Sequence, residues 1–365
     1  MAKKKASTPP GILRPHAETA YAQELTALAA QDTEVKPSGW NLSPRAVVDY
    51  LLGETLADGT EISTKYFGDR RLIEVAVASL VTDRALLLVG VPGTAKTWVS
   101  EHLAAAISGD STLLVQGTAG MSEDALRYGW NYARLLAEGP SEAAMVPSPV
   151  MTGMQTGKLV RLEELTRIPS DVQDALITIL SEKILPIPEL NREVQAVRGF
   201  NIIATANDRD KGVNELSSAL RRRFNTVVMP LPATLEEEVR IVTDRSSAAA
   251  AGMELPPVKK DVAAEITRLV TIFRELRNGR TEDGRTQLKS PSSTLSTAEA
   301  ISVVNQSRAL SHHFGNGDLE PKHLAASLTG AIVKDRGQDD PIWREYLEVV
   351  VRNRKGWEDL WEVFR

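Results

Sequence analysis

Gly90-Val91-Pro92-Gly93-Thr94-Ala95-Lys96-Thr97 is the stretch around which the rest of the chain is organised. The apolar run Ala85-Leu86-Leu87-Leu88-Val89 precedes it, with the composition of a buried parallel strand. Trp98 to Ile107 follows and reads as a helix. Strand, glycine-bearing turn and a helix opening on Lys-Thr are the setting of a phosphate-binding loop. In such a loop the backbone N–H groups and the positive helix end cradle phosphates. Lys96 would reach the β- and γ-phosphates, and the Thr97 hydroxyl would ligate Mg²⁺. Ala95 stands where a glycine usually precedes the lysine, and its methyl is tolerable if the residue is already helical. Both flanks and the Lys-Thr register set the stretch apart from an ordinary strand-to-helix turn.

A chain of 365 residues, 42% hydrophobic and 25% charged, has the material for two or three packed domains. Cysteine is absent, which removes disulfides and thiolate chemistry and fits a cytoplasmic location. The net charge of −5 comes without a basic stripe, so nucleic-acid binding is not expected. Lys3-Lys4-Lys5 lacks the apolar stretch of a signal peptide, and no segment is apolar for long enough to span a bilayer, so no membrane partner is expected. The five histidines form no ligand spacing. His312 and His313 are expected in a loop, and with His323 on the surface.

Residues 1–42 are expected to be an extension, disordered over 1–15, with one short helix from Ala17 to Ala30. Ser43-Pro44 starts a helix to Leu52, with serine as cap and proline at its first position. Another helix is predicted from Arg70 to Val81. Beyond the loop, strands are predicted over 112–116, 158–164, 200–206 and 226–229, alternating with helices, which argues for a parallel α/β sheet. The segment 117–157 reads as a loop or insertion leaving the sheet, and 184–197 as a β-hairpin. Arg161 is awkward in a buried strand. After Pro232 the strands stop, and helices over 235–251, 262–277, 298–311 and 321–334 form a second domain, with a polar loop at 279–293. Trp343, Tyr346, Trp357, Trp361 and Phe364 make an aromatic tail that must pack on the subunit or on a neighbour.

Glu163 and Glu164 end an apolar strand downstream of the loop, where one acid can support Mg²⁺ and the other can orient the attacking water. Exposed acids capping the following helix are the plainer reading. Asn207 ends the next strand and either orients water or contacts the γ-phosphate, or is a turn residue before Asp208. Arg221-Arg222-Arg223 either complements a helix C-terminus or supplies a cation to an adjacent subunit's γ-phosphate.

This order of elements resembles the AAA+ ATPases, and within them the MoxR family. The loop Gly90–Thr97 resembles that family's P-loop, which also takes alanine before the lysine. Glu163-Glu164-Leu165-Thr166-Arg167-Ile168-Pro169 resembles its acidic box, where Asp-Glu is usual, and Gln173, Ala175 and Leu176 fit the helix behind it. The resemblance covers about Phe67 to Lys334. It implies an AAA+ P-loop NTPase core with a parallel five-stranded sheet, followed by an all-α lid. The implied domains are the extension 1–42, the nucleotide-binding domain 43–231, the lid 232–335 and the tail 336–365. Carried over by position, Gly90, Val91, Pro92, Gly93, Thr94, Ala95, Lys96, Thr97 and Trp98 contact nucleotide. Thr97 and Glu163 serve Mg²⁺, and Glu164 polarises water. Asn207 falls at sensor 1, and Arg222 and Arg223 at the finger arginine. The segment 117–157 contains the family's helix-2 insertion and Ile184–Val197 its pre-sensor-1 hairpin, both near the pore of a ring.

Two positions depart from the family: Glu163 replaces the usual aspartate, and Ala298 aligns with the lid's sensor-2 arginine. The implied function is a Mg²⁺-dependent ATPase ring, hexameric, that remodels or matures partner proteins, with a von Willebrand factor A domain protein as the implied partner. An ATP-gated oligomeric scaffold with little hydrolysis is the alternative that the two departures favour.

Overall fold

The computed structural model describes residues 12–207, 214–256 and 262–365. The expectation of disorder over 1–15 therefore falls mostly outside the described residues, as does the turn at Asp208. The chain divides into two compact units, Met1–Val91 with Ala95–Pro230, and Leu231–Arg365, which takes in Pro92–Thr94.

The first unit is built on five parallel strands: β1 (Ala85–Gly90), β2 (Leu114–Gln116), β3 (Leu159–Glu163), β4 (Asn201–Asn207) and β5 (Phe224–Val228). Their order across the sheet is β5-β1-β4-β3-β2. The three central strands read as near-continuous apolar runs because helices cover both faces. Alternation divides their side chains. Leu86, Leu88, Leu159 and Ile203 join one core with Val99, Leu103 and Ile107 of the helix Lys96–Ser108. Leu87, Val160, Leu162, Ile202 and Ala204 join the opposite core with the helices Pro149–Thr156 and Ser170–Ser181. By the same parity Arg161, Glu163 and Thr205 lie on the face that carries the helix after the P-loop.

Two helices, Ala17–Ala20 and Ala22–Gln31, replace the single one predicted near the N-terminus. They dock through Lys65, 2% exposed, whose ammonium pairs with Glu24 and lies over the rings of Tyr21 and Tyr50 at 4.6 and 4.2 Å. Pro44–Leu52 and Arg70–Val81 start where the sequence places them, with Ser43 and Asp69 each accepting an N-terminal backbone N–H. The predicted helix leading into the arginines is only Ser218–Arg221 among the described residues.

The segment 117–157 is more ordered than its weak periodicity suggests. It holds an antiparallel strand pair, Tyr128–Trp130 with Met145–Pro147, the helix Tyr132–Glu138 between them, and the helix Pro149–Thr156. The predicted hairpin pairs Ile184–Ile187 with Arg192–Gln195. These two excursions are joined to each other. The Tyr128 hydroxyl donates to Glu189 Oε2 at 2.7 Å, Arg127 Nη2 donates to the Pro186 carbonyl at 2.8 Å, and Arg192 pairs with Glu142. Burial and the adjacent carboxylate push the Tyr128 hydroxyl up to about 12, so it remains a donor at neutral pH.

In the second unit four helices, Leu235–Gly252, Ala263–Asn278, Thr297–Phe314 and Pro321–Ile332, match the predicted ones closely. The tail packs in cis: Trp343, Tyr346, Trp357 and Leu360 share the core of Ile266, Phe273, Val304 and Leu328. Glu238 is fully buried and held by Arg274, Arg277 and Thr297, so its charge is matched rather than stranded. His312 and His313 are on the surface as expected, but the setting of all three histidines differs. His312 and His313 lie on the helix Thr297–Phe314, and His323 is buried because its ring caps the start of Pro321–Ile332 with Glu320.

Candidate nucleotide site

The carboxyl ends of β1, β3 and β4 lie side by side, which is where parallel α/β sheets bind ligands. Asn207 pairs in register with Gly90, and the adjacent strand ends in Glu163. Lys96 opens the helix Lys96–Ser108, is 8% exposed, and donates from Nζ to the carbonyls of Gly90 and Val91 at 2.8 and 2.9 Å. Its ammonium is therefore folded into the loop that a phosphate would occupy.

Ala95 is not helical, as its tolerance had been expected to require. It is the N-cap of that helix in the left-handed region, φ 62° and ψ 19°. The loop needs this conformation to turn its N–H groups inward, and an L-residue there costs about 1–2 kcal/mol. Ala95→Gly removes that cost and adds back about 0.5–1 kcal/mol of unfolded-chain entropy. A net gain of about 0.5–1 kcal/mol is expected. Urea unfolding measures it, and a lower midpoint in the variant would show that the loop carries no such strain.

Glu163, 2% exposed, is the hub of the site. Its Oε2 accepts from Thr97 Oγ1 at 2.8 Å and from Thr205 Oγ1 at 2.7 Å. Its Oε1 accepts from Arg161 Nη2 at 3.0 Å and from the Ser100 hydroxyl. Thr97 and Glu163 are hard oxygen donors side by side, as Mg²⁺ requires. Among the described residues no cluster of three His, Cys, Asp or Glu could hold a metal ion, so phosphate oxygens and water would complete the coordination.

Glu164 has φ 56° and ψ 49°, an unusual conformation for a glutamate. Its N–H donates to Thr205 Oγ1 at 3.0 Å, and its Oε2 accepts from Arg167 Nη1 at 3.0 Å. Its side chain is partly exposed where that of Glu163 is buried. Backbone strain of this kind collects at functional positions. Trp98 is half-buried, donates from Nε1 to the Lys65 carbonyl at 3.0 Å and lies tilted against the His102 ring at 4.4 Å.

The two candidate arginines differ. Arg223 is half-buried and donates from Nε to Ser181 Oγ at 2.8 Å and from Nη1 to the Ala219 carbonyl at 2.5 Å. Arg222 is exposed, donates from Nε to the Ser218 carbonyl at 3.2 Å, and has its own carbonyl anchored by Arg84.

Arg161, Ser100 and Thr205 were missed as site residues. Each is a polar side chain at an otherwise buried position, and Thr205 is the lone hydroxyl in the apolar run before Asn207. Gly117 was missed as well: a Cβ there would lie 2.4 Å from the Glu164 carbonyl, so this glycine lets the chain after β2 run against the acid pair.

Comparison with known proteins agrees with this geometry. Residues 85–224 match the AAA domain (dynein-related subfamily), and residues 236–365 match the YehL-like AAA+ ATPase C-terminal domain. The chain is 41% identical to the uncharacterized protein YehL of Escherichia coli over 97% of its own length and 96% of that protein's. It is 26% identical over 158 residues to an uncharacterized protein of Staphylococcus haemolyticus, covering 43% of this chain and 59% of that one. A crystal structure of NtrX from Brucella abortus in complex with ADP superposes with a TM-score of 0.51 at 13% identity, over 93% of this chain and 69% of that chain, a likeness of fold. In two further NtrX structures the chain spans 54% and 60% of the protein it matches. The match to YehL runs through both units, and the chain belongs to the YehL-like AAA+ ATPases.

Proposed function

We propose that the protein is a MoxR-like, Mg²⁺-dependent ATPase that works as a homo-oligomeric ring and remodels partner proteins. The observation that carries the reading is the bond between Thr97 Oγ1 and Glu163 Oε2, made where Lys96 folds into the loop and Glu164 and Asn207 stand on the neighbouring strand ends. Lys96 and the loop amides bind the phosphates, and Thr97 and Glu163 would hold a Mg²⁺ that would offset the charge that develops. Glu164 accepts the proton-side hydrogen bond of the attacking water and Asn207 orients it at the γ-phosphate. The coupled excursions 128–147 and 184–195 offer the client surface, with Tyr132 70% and Leu136 88% exposed. A von Willebrand factor A domain protein as partner and a hexamer as the ring rest on the MoxR resemblance, and the cytoplasm as the location rests on the absence of cysteine.

The second reading, an ATP-gated scaffold, is favoured by the Glu164–Arg167 ion pair and by the lid. Arg308 is the arginine of the helix Thr297–Phe314, and it donates to the Ser246 carbonyl and Ser247 Oγ of the helix Leu235–Gly252 rather than standing in for Ala298. Glu164→Gln separates the two. In the ATPase its turnover falls by about 10²–10⁴-fold, the range for losing a positioned base, while ATP affinity is kept. Steady-state hydrolysis and calorimetry on parent and variant give the answer. A parent that binds ATP but turns over no faster than Glu164→Gln is the scaffold.

A further inference from the structure

We infer that Arg161 is a positioning residue for the metal-side acid, pinning Glu163 so that a glutamate presents one oxygen to Thr97 as a shorter aspartate would. The inference rests on the ATPase reading above. Arg161 lies in the middle of β3, in register with Leu114 on one side and Ile203 on the other, and is 4% exposed. A guanidinium in the centre of a sheet is costly unless its donors are matched. Here each nitrogen has a partner: Nε donates to Ser100 Oγ at 3.1 Å, Nη1 to the Ser111 carbonyl at 3.2 Å, and Nη2 to the Thr97 carbonyl at 3.3 Å and Glu163 Oε1 at 3.0 Å. Thr97 and Ser100 belong to the first turns of the helix after the P-loop. The arginine thus ties together the acid, the Mg²⁺-side threonine and the helix that presents it.

The grip is one-sided. Arg161 and Ser100 occupy Oε1, which leaves Oε2 to Thr97 and Thr205. A glutamate has one more rotatable bond than an aspartate, so an unpinned carboxylate can swing or offer both oxygens to a cation. With Oε1 held, only Oε2 faces the Thr97 hydroxyl. Arg161 also offsets the buried negative charge, so the acid is not stranded when no cation is bound. An arginine whose only task was to tie strand to helix has no need of the carboxylate, because Ser100, Ser111 and Thr97 already supply three acceptors.

The test is the Mg²⁺ dependence of ATP affinity, measured by calorimetry on the full chain, with thermal unfolding as a fold control. Arg161→Lys keeps the charge but not the fork that reaches four partners. It should raise the Mg²⁺ concentration needed for half of the Mg²⁺-dependent gain in affinity by about 10–100-fold, the usual effect of losing a residue behind a metal ligand. ATP affinity without Mg²⁺ should stay at the parent value. Glu163→Asp alone, too short to span Arg161 and Thr97, should be impaired in the same way. The double variant Arg161→Leu/Glu163→Asp, an apolar strand ending in aspartate, should recover the parent Mg²⁺ dependence. A parent-like Mg²⁺ titration in Arg161→Lys, or no recovery in a folded double variant, would overturn the assignment and leave the ATPase reading standing. Absence of ATP binding by the parent would overturn both.

Discussion

Lys96→Ala is expected to lose ATP binding. Lys96 Nζ already lies on the Gly90 and Val91 carbonyls, at the mouth of a loop in which no other side chain carries a positive charge. Moving from those carbonyls to phosphate exchanges two neutral acceptors for charged ones, which adds direct attraction between opposite charges. Truncating one side of a buried charge pair costs about 2–5 kcal/mol. At about 1.4 kcal/mol per tenfold this is a loss of roughly 30- to several-thousand-fold in affinity. The substitution also removes the apolar stem, so Lys96→Met, which keeps most of the stem and loses the same charge, is the matched control. Both should bind ATP weakly in calorimetry while unfolding near the parent temperature. Parent-like affinity in either variant would remove the P-loop as the phosphate site.

The fold was legible where burial is complete. A strand buried on both faces is apolar at most positions, so 85–90, 159–163 and 201–207 stand out as runs broken by a few polar residues, and the glycine-bearing turn after the first one orients the reading of the rest. The helices of the second unit declare themselves by periodicity and by caps such as Ser296 with Glu299. Most of the segment 117–157 does not, because its strands have three residues each, its helix Tyr132–Glu138 buries no residue fully, and its buried helix Pro149–Thr156 is only about two turns long. The site was legible by residue type and illegible by conformation. Lys96, Thr97, Glu163, Glu164 and Asn207 could be read from position. That Ala95 and Glu164 adopt left-handed backbone could not, since those dihedrals are imposed by the surrounding structure on residues that do not favour them. Arg161 was visible as an anomaly. Its partner could have been found by counting two residues along the strand to Glu163, because alternation puts both on one face.

Of the two candidate finger arginines we propose Arg222. Arg223 is spent in cis, on Ser181 and the Ala219 carbonyl, and its removal should loosen the link between Ser218–Arg221 and Ser170–Ser181. Among the described residues Arg222 makes one side-chain hydrogen bond, to a carbonyl of its own turn, and is exposed with its backbone carbonyl held by Arg84. A fixed root with an exposed guanidinium is what a residue acting on another subunit's nucleotide requires. Such a cation neutralises charge spreading over the γ-phosphoryl oxygens and is worth roughly 10³–10⁵-fold in turnover where it operates. Arg222→Ala should therefore lose hydrolysis on that scale while binding ATP normally, and Arg223→Ala should lose far less. Parent activity per subunit should rise with protein concentration, because an isolated subunit has no finger. Mixing Arg222→Ala with Lys96→Ala should restore activity, since the first supplies a working P-loop and the second an intact arginine. Mixed assemblies must be shown by mass before that result is read. A plain basic helix end predicts full activity in a dilute monomer and none regained on mixing. If mixed assemblies form without recovery, and Arg222→Ala hydrolyses ATP at the parent rate, Arg222 belongs to the helix end alone.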